Sequence, residues 1–353
     1  MKTIGYILFC SLFFVLLLAP MAFMPWAENQ LTENRLPAPA PELFNDEGFN
    51  TSFSKDAEDF LNDRFAGRTL MINTYSRLVS DIFGMSSNDK VVLGKDGWLF
   101  FHETMGDFDG SSALNDEEME QIISYLLDLK QTAEERGQVF LIAIVPNKNS
   151  LYGEFLPTRY RQTNEPTNLD SLLLVDELGL IDFRSVFLET NQYLYYKTDS
   201  HWNGLGARIA AREIMKAIEN KTGVQAEIDW ENGTYETGLF TGDLGMMLFP
   251  SNPPTDEDMF FDETKQSYTN IGRVRSLDDM RITTESDGAT LSVAMYRDSF
   301  ANWLIPYFSN AYSNVYYTRQ SPPPMDSSEF TEADVIIFQI VERRLGELLD
   351  FQG

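Results

Sequence analysis

Residues 290–300 read Thr-Leu-Ser-Val-Ala-Met-Tyr-Arg-Asp-Ser-Phe, an apolar run of strand length that ends in a serine before a helix-like segment. A serine on a sharp strand-to-helix turn presents its hydroxyl at the carboxyl edge of a sheet, where α/β folds build their sites. Two further runs, Val139–Val145 and Val335–Ile340, have the continuous apolar character of strands buried on both faces. Helical patterns alternate with these runs. The sequence therefore predicts an α/β fold with an open, mostly parallel sheet and helices on both faces.

Changes in composition along the chain indicate its organisation. Residues 1–26 carry an apolar run of roughly the 20 residues that a bilayer requires, and predict an uncleaved signal anchor or transmembrane helix, with a cleaved secretory signal as the alternative. Residues 27–54 predict a proline-containing linker, and residues 55–353 predict the α/β domain. Within that domain, residues 224–288 hold fourteen acidic and four basic residues, and predict an acidic, partly flexible surface insertion.

The N-terminal segment and the overall charge restrict the function. With Lys2 on the cytoplasmic side, everything after Trp26 lies outside the cytoplasm, where nucleotide cofactors and acetyl-CoA are not expected. The chain has 27 Lys and Arg against 54 Asp and Glu, so its formal net charge of -27 argues against nucleic acid as a partner. Its one cysteine, Cys10, lies in the apolar segment, which excludes disulfides from the domain. No metal-ligand spacing and no glycine-rich phosphate loop is present, so neither a metal nor a cofactor is predicted.

The most informative second stretch is residues 195–203, Tyr-Tyr-Lys-Thr-Asp-Ser-His-Trp-Asn, before a predicted helix. It contains His201, one of only two histidines, with Asp199 two positions earlier. We predict that this stretch meets the strand end at Ser299 and forms a nucleophilic triad, in which a carboxylate orients a histidine that activates a serine. The alternative is structural: His201 as a satisfied buried residue, Asp199 as a turn residue and Ser299 as a helix cap. The other histidine, His102, is expected to be structural.

Additional side chains are predicted near the same sheet edge. Asn147 and Lys148 follow the strand Val139–Val145, and are candidate donors to an oxyanion or to substrate. Arg297 is a further substrate-binding candidate, against the alternative of a surface ion pair with Asp298. The aromatic side chains that could stack on sugar rings are Tyr152, Trp202 and Trp303.

These motifs, taken in order, resemble a known family. The chain is similar to the SGNH-hydrolase-like family of polysaccharide O-acetylation proteins, typified by the periplasmic alginate acetylation proteins and the related bacterial DHHW proteins. The resemblance extends over roughly residues 85–350. The segments that carry it are Gly94–Phe100, Val145–Lys148, Thr198–Asn203, Gly242–Leu244, Arg297–Phe300 and Ile340–Arg343.

The resemblance implies a triad of Asp199, His201 and Ser299, an acetyl-serine intermediate and a polysaccharide acceptor. It also implies that a membrane-bound O-acyltransferase passes acetyl groups outward to this protein. One departure is that Arg297 stands where the Gly-Asp-Ser form of the motif has glycine. If the backbone geometry of that glycine is required for the oxyanion hole, transfer is altered.

The sequence favours the first of three functions, with the other two as alternatives. The first is a membrane-anchored extracytoplasmic O-acetyltransferase acting on a cell-surface or secreted polysaccharide. The second is a carbohydrate acetylesterase, which would use the same triad with water as acceptor and differs in water exclusion rather than in residue type. The third is a non-catalytic glycan-binding or assembly protein on the same fold.

Overall fold

The computed structural model of this chain describes residues 2–24, 37–45, 48–226, 228–231, 233–287 and 290–352. The α-helices are α1 (Lys2–Phe23), α2 (Phe53–Arg64), α3 (Arg68–Phe83), α4 (Met105–Asp109), α5 (Asp116–Glu135), α6 (Lys148–Tyr152), α7 (Asn168–Leu173), α8 (Phe183–Leu188), α9 (Gly204–Thr222), α10 (Asp243–Leu248), α11 (Ile305–Ala311) and α12 (Ser328–Thr331). The strands are β1 (Phe44–Asn45), β2 (Gly48–Phe49), β3 (Val91–Leu93), β4 (Leu99–Phe101), β5 (Val139–Val145), β6 (Tyr235–Thr241), β7 (Thr255–Phe261), β8 (Thr269–Asn270), β9 (Arg281–Glu285), β10 (Ser292–Tyr296), β11 (Asn314–Thr318) and β12 (Val335–Val341). Short 3₁₀ helices include Ser299–Trp303 and Glu342–Gln352.

The chain divides into two compact units. The smaller combines Met1–Val91 with Asp243–Pro254, and the larger combines Val92–Gly242 with Thr255–Gly353. In the smaller unit, α2 and α3 are separated by Gly67, whose φ of 79° is in the left-handed region that glycine adopts without strain.

The predicted N-terminal anchor corresponds to α1. Among the residues that the structure describes, no helix has both the length and the apolar character needed to cross a bilayer. The membrane-spanning part of the prediction is therefore not supported. Residues 27–36, 46 and 47 of the predicted linker lie outside the described residues, and the rest of it contains the short β1–β2 pair.

The larger unit is built on a six-stranded sheet with the strand order β5-β12-β10-β11-β9-β8. The first four strands are parallel, β9 pairs antiparallel with β11, and β8 pairs antiparallel with β9. The sequence predicts a mostly parallel sheet, and the structure confirms this. Both central strands of the parallel part, β12 and β10, are almost entirely buried, because helices cover the sheet on both sides.

Each face of the sheet packs against its own helices. On one face, alternate residues of β5 such as Leu141 and Val145 pack with Ala207, Ile214 and other apolar residues of α9. On the other face, the intervening residues of β5, including Ile142, pack against the apolar stripe of α5. A strand residue and its neighbour point to opposite faces, so a single apolar run supplies both cores. The site lies at the edge where β5, β10 and β12 end together.

Part of the predicted insertion at residues 224–288 belongs to the main sheet, and this corrects the sequence prediction. Strand β9 is buried at Ile282 and Thr284 and exposed at its two ends, Arg281 and Glu285. This alternation is typical of a strand with one solvated face. The charged residues at the exposed positions of β9 resemble those of a polar loop, which explains why the sequence did not predict the strand. The rest of the segment includes the antiparallel pair β6–β7.

Candidate active site

The 195–203 stretch is a tight loop closed by its own backbone. Tyr195 and Trp202 form an antiparallel bridge, and the Asn203 N–H donates to the Leu194 carbonyl at 2.8 Å. Asn203 then caps α9, because its side-chain oxygen accepts from the Gly206 N–H at 2.9 Å. The loop is therefore held between a bridge and a helix start, which fixes the side chains at its tip.

At the tip of this loop, one carboxylate oxygen fixes the histidine. Asp199 Oδ1 lies 2.6 Å from His201 Nδ1 and accepts the His201 backbone N–H at 2.8 Å. Both side chains are shielded, with 4% and 12% of their surfaces exposed for Asp199 and His201. A carboxylate on Nδ1 favours the tautomer in which Nδ1 carries the proton and Nε2 is an acceptor.

The serine at the end of β10 meets the other ring nitrogen. Ser299 Oγ lies 2.8 Å from His201 Nε2, although the two residues are 98 positions apart in the chain. The structure thus brings Asp199, His201 and Ser299 into one continuous hydrogen-bonded chain. An arrangement of this kind can activate a hydroxyl as a nucleophile, because the imidazole accepts its proton and the carboxylate stabilises the imidazolium.

The helix-cap alternative for Ser299 is answered by its neighbour. Asp298 caps the 3₁₀ helix Ser299–Trp303, with Oδ1 accepting from the Phe300 N–H at 2.9 Å. Asp298 is also tied to the adjacent strand, because Gln339 Nε2 donates to Oδ1 at 3.0 Å and the Val341 N–H donates to Oδ2 at 2.6 Å. These bonds fix the turn that presents the Ser299 hydroxyl.

Arg297 is a structural residue rather than a substrate contact or half of a surface ion pair. Its side chain is fully buried, and its guanidinium donates to the Leu277 carbonyl at 2.6 Å, the Asp279 carbonyl at 3.2 Å and Asn302 Oδ1 at 2.6 Å. Burial lowers the pKa of this guanidinium to about 10. Asp96 is the one non-glycine residue with positive φ among the described residues, so position 297 does not require glycine for backbone conformation.

The two predicted oxyanion donors on the loop after β5 have other partners. Lys148 Nζ donates to the carbonyls of Leu99, Lys197 and Asp199 at 2.5, 2.8 and 2.9 Å, and so supports the backbone under the Asp199 loop. Asn147 Nδ2 donates to Asp107 Oδ2 at 2.7 Å. Both residues are buried, and their contacts position the site from beneath instead of supplying oxyanion donors.

Asp107 and Glu342 form a buried acidic pair around this loop. Glu342 Oε2 accepts the Asn147 backbone N–H at 2.8 Å and the Ser150 hydroxyl at 2.9 Å. Burial, with a smaller contribution from the nearby Glu342 charge, raises the pKa of Asp107 to about 6. The support of the site therefore includes a carboxyl that titrates in the range of ordinary buffers.

Two of the three aromatic residues of the predicted stacking set, Tyr152 and Trp202, are core residues. Tyr152 packs against Trp98 with ring centroids 4.8 Å apart, and its hydroxyl accepts the Leu194 N–H at 2.8 Å. Trp202 is fully buried and packs edge-on against Phe300. Neither presents a face to a ligand, because both are enclosed by other side chains.

The aromatic wall of the site is formed by the third predicted residue, Trp303, together with Phe300. The His201 ring lies between Phe300 and Trp303, at centroid distances of 4.7 and 5.2 Å. Trp303 Nε1 donates to the Tyr196 hydroxyl at 3.3 Å, and that hydroxyl donates to Asp258 Oδ2. Burial, followed by the Asp258 charge, raises the pKa of Tyr196. Trp303 is therefore fixed beside the histidine through a buried polar contact.

Several of these positioning residues were missed by sequence reasoning. Gln339 is the one polar residue in an otherwise apolar strand, a signal that could have identified it as a partner of the site. Asp258 lies within the predicted insertion and carries no signal of its own. Gly242 is required by close approach, since a Cβ there would lie 2.2 Å from the Thr198 carbonyl oxygen.

Comparison with known protein families gives one match. The chain matches a family model described as "SGNH hydrolase-like domain, acetyltransferase AlgX" over residues 91–275, just over half of its length. This range contains Asp199 and His201, and Ser299 follows it.

Curated relatives carry related names. A "Probable alginate O-acetylase AlgJ" from Pseudomonas syringae pv. tomato is 28% identical over 215 residues, covering 58% of this chain and 52% of that protein. The protein of the same name from Pseudomonas fluorescens is 28% identical over 258 residues, covering 70% of this chain and 61% of that protein. The chain thus spans about half to three-fifths of the length of these relatives.

A solved structure supports the fold. Bacillus cereus PatB1 superposes with a TM-score of 0.58 at 16% sequence identity, covering 73% of this chain and 97% of that chain. At this identity the similarity shows a shared fold.

Proposed function

This chain belongs to the family of SGNH hydrolase-like domains of the acetyltransferase AlgX, and we propose that it is an O-acetyltransferase acting on an extracytoplasmic polysaccharide. The observation that carries the proposal is the continuous contact from Asp199 through His201 to Ser299, with distances of 2.6 and 2.8 Å. The names of the curated relatives, alginate O-acetylases, support acetyl transfer to a polysaccharide.

The proposed reaction has two steps through one serine. Ser299 Oγ attacks the acetyl carbonyl of the donor while His201 Nε2 takes the hydroxyl proton and passes it to the leaving group. A sugar hydroxyl then gives its proton to His201 and attacks the acetyl-serine, which releases the acetylated sugar and restores Ser299. Asp199 holds the ring and stabilises the imidazolium in both steps.

Charge on the carbonyl oxygen needs a donor in each step. Ser299 is the first residue of the 3₁₀ helix Ser299–Trp303, and among the described residues no acceptor is bonded to its backbone N–H. We assign it to the developing oxyanion, since a backbone N–H adjacent to the nucleophile is the usual donor. The structure supports this assignment over the side chains of Asn147 and Lys148, which are bonded elsewhere.

The donor and the location follow from the same proposal. A free acetyl ester suffices for the chemistry, and a membrane-bound O-acyltransferase that presents acetyl groups outside the cytoplasm is the proposed physiological source. The apolar N-terminal run and the independence of the chemistry from nucleotide cofactors support an extracytoplasmic location.

The test is to trap the acetyl-enzyme. The purified chain is incubated with p-nitrophenyl acetate, quenched in acid and mapped by peptide mass spectrometry. We expect acetyl on Ser299 in the wild type, no acetyl in Ser299→Ala, and strongly reduced acetylation in His201→Gln. The matched control is His102→Gln, which removes the other, exposed histidine and should acetylate normally. Normal ester turnover by Ser299→Ala would refute the proposal.

A second measurement separates transfer from hydrolysis. The same reaction is repeated with a mannuronate hexasaccharide and with its carboxyl-reduced counterpart as acceptors, and acetylated sugar and free acetate are quantified together. Transfer predicts that added acceptor diverts acetyl groups from water to sugar. Acetate as the sole product with every acceptor offered would favour the esterase.

A further inference from the structure

Two cavities lie beside the residues that hold the proposed catalytic histidine: the first is lined by Trp303, and the second by Tyr196 and Lys197 of the 195–203 loop. The first has a volume of about 360 Å³, and its wall includes Trp303, Tyr307, Phe260 and Leu277. Trp303 lines this cavity and also packs against the proposed catalytic histidine, because its ring centroid lies 5.2 Å from that of His201. Trp303 therefore connects the wall of this cavity with the proposed catalytic histidine.

The second cavity, of about 570 Å³, shares Asp258 and Met259 of β7 with the first. It is more polar and includes the half-exposed ring of Tyr193. Together the two cavities, which we call the acceptor cleft, have room for a few sugar residues. Aromatic side chains beside polar groups suit sugars, whose rings have apolar faces and hydroxyl edges.

The charge of the acceptor cleft is one-sided. Three acidic residues, Asp256, Glu257 and Asp258, line the second cavity, and Lys197 is the single cationic residue lining either cavity among the described residues. A fourth carboxylate, Asp278 in the first cavity, is paired with an arginine outside the cavity wall.

Neutral groups satisfy the carboxylates without cancelling their charge. Asp258 Oδ1 accepts the Gly204 N–H at 2.9 Å, and Asp256 Oδ2 accepts the Thr198 N–H and hydroxyl at 2.9 and 2.7 Å. The side chain of Glu257 is exposed. A polymer with one carboxylate on each sugar would bring like charges against this wall, which disfavours association.

We propose that this cleft binds the acceptor and selects a neutral glycan, and that it discriminates against polyuronates such as alginate. The inference rests on the proposed function, and it assigns a substrate class that differs from the one in the names of the curated relatives. The lining supplies the reason: aromatic and apolar surface for sugar rings, with an excess of negative charge that repels a sugar carboxylate.

The test uses two acceptors that differ only in charge. A mannuronate hexasaccharide is compared with its carboxyl-reduced counterpart, which has the same linkage and a neutral hydroxymethyl group in place of each carboxylate. Acetyl transfer from p-nitrophenyl acetate is measured as kcat/KM by mass spectrometry in low and in high salt. We expect the reduced hexasaccharide to be preferred by about tenfold or more in low salt, with the preference shrinking as salt screens the charges. An equal rate, or a preference for the uronate, would overturn the inference and leave acetyl transfer itself intact.

Two variants that change the charge by the same amount distinguish the effect of the cleft from the effect of the overall surface charge. Glu257→Lys reverses a charge in the cleft and should reduce the preference for the neutral acceptor by about threefold or more. Glu120→Lys makes the same change on α5, where the residue is exposed and lines neither cavity, and should leave the preference unchanged. Equal effects of the two variants would overturn the assignment to this cleft.

A binding measurement makes the inference independent of turnover. The same two hexasaccharides are titrated into Ser299→Ala by calorimetry, with the affinity ratio expected to follow the transfer ratio. If the wild type consumed no acetyl ester, the proposed function would fail, and these titrations would still decide the charge preference of the cleft.

Discussion

Removing the charge of Asp199 while keeping its shape isolates what this carboxylate contributes. Asp199→Asn keeps a side-chain oxygen that can still accept the His201 backbone N–H, now bonded at 2.8 Å. The negative charge 2.6 Å from His201 Nδ1 is lost. The amide can also turn its NH₂ toward the ring and favour the tautomer that leaves Nε2 protonated, and so unable to take the Ser299 proton.

The magnitude follows from the distance and the burial. The carboxylate and the imidazolium that forms in the reaction have charge centres about 4 Å apart, and their attraction is about 4 kcal/mol at an effective dielectric constant near 20. That dielectric constant suits side chains that are 4% and 12% exposed. A barrier raised by about 4 kcal/mol slows the reaction by roughly 10³-fold.

The assay is the rate of acyl-enzyme formation and ester turnover across a range of pH. We expect kcat to fall by about 10³-fold with little change in KM, because the charge acts on the transition state. The acid limb of the rate profile should move to lower pH, since the imidazolium loses its carboxylate partner. Asp128→Asn, which removes an exposed carboxylate on α5, is the control and should retain full activity.

A loss smaller than about tenfold, in a variant whose unfolding transition matches the wild type, would refute the reasoning. So would a pH profile that keeps its acid limb in place. Either result would mean that Asp199 supports the loop without acting on the histidine.

Three further perturbations test the supports of the site. Gln339→Leu should lower kcat by about tenfold, because Asp298 loses the side-chain donor that lies 3.0 Å away and the turn that carries Ser299 loosens. Gln339→Glu cannot donate to a carboxylate, so full activity of that variant would contradict this explanation. Arg297→Met should cost about 2–4 kcal/mol in guanidinium unfolding, since it leaves buried carbonyls unpaired, and an unchanged midpoint would show that these bonds add nothing. Asp107→Asn should stabilise the protein by roughly 3 kcal/mol at pH 8 and not at pH 4. The pKa of Asp107 in the folded state, about 6, lies above the ordinary 3.8, so the wild type loses stability as pH rises from about 4 to 6. Parallel curves of the free energy of unfolding against pH for the two proteins would refute this.

The sheet was readable from the sequence because its signal is local. Val139–Val145 is a continuous apolar run and forms β5 with the same bounds, since a parallel strand covered on both faces has no polar side to interrupt it. The helix that follows residue 203 was equally readable, because the capping chemistry that starts it depends on neighbours a few residues away. Strand β9 was missed because one of its faces is solvated, and its polar residues resemble those of a loop.

The sequence by itself also indicated which side chains could perform chemistry, because two histidines offer few choices of base. What only the tertiary structure decided is the set of partners. Whether Lys148 faces an oxyanion or three backbone carbonyls, and whether Arg297 faces substrate or the carbonyls near Leu277, depends on segments distant in the chain. Likewise, the charge of the acceptor cleft arises because β7 packs beside the His201 loop. Local patterns set element type through backbone and burial preferences, whereas buried polar partners are chosen by the three-dimensional packing that brings distant segments together.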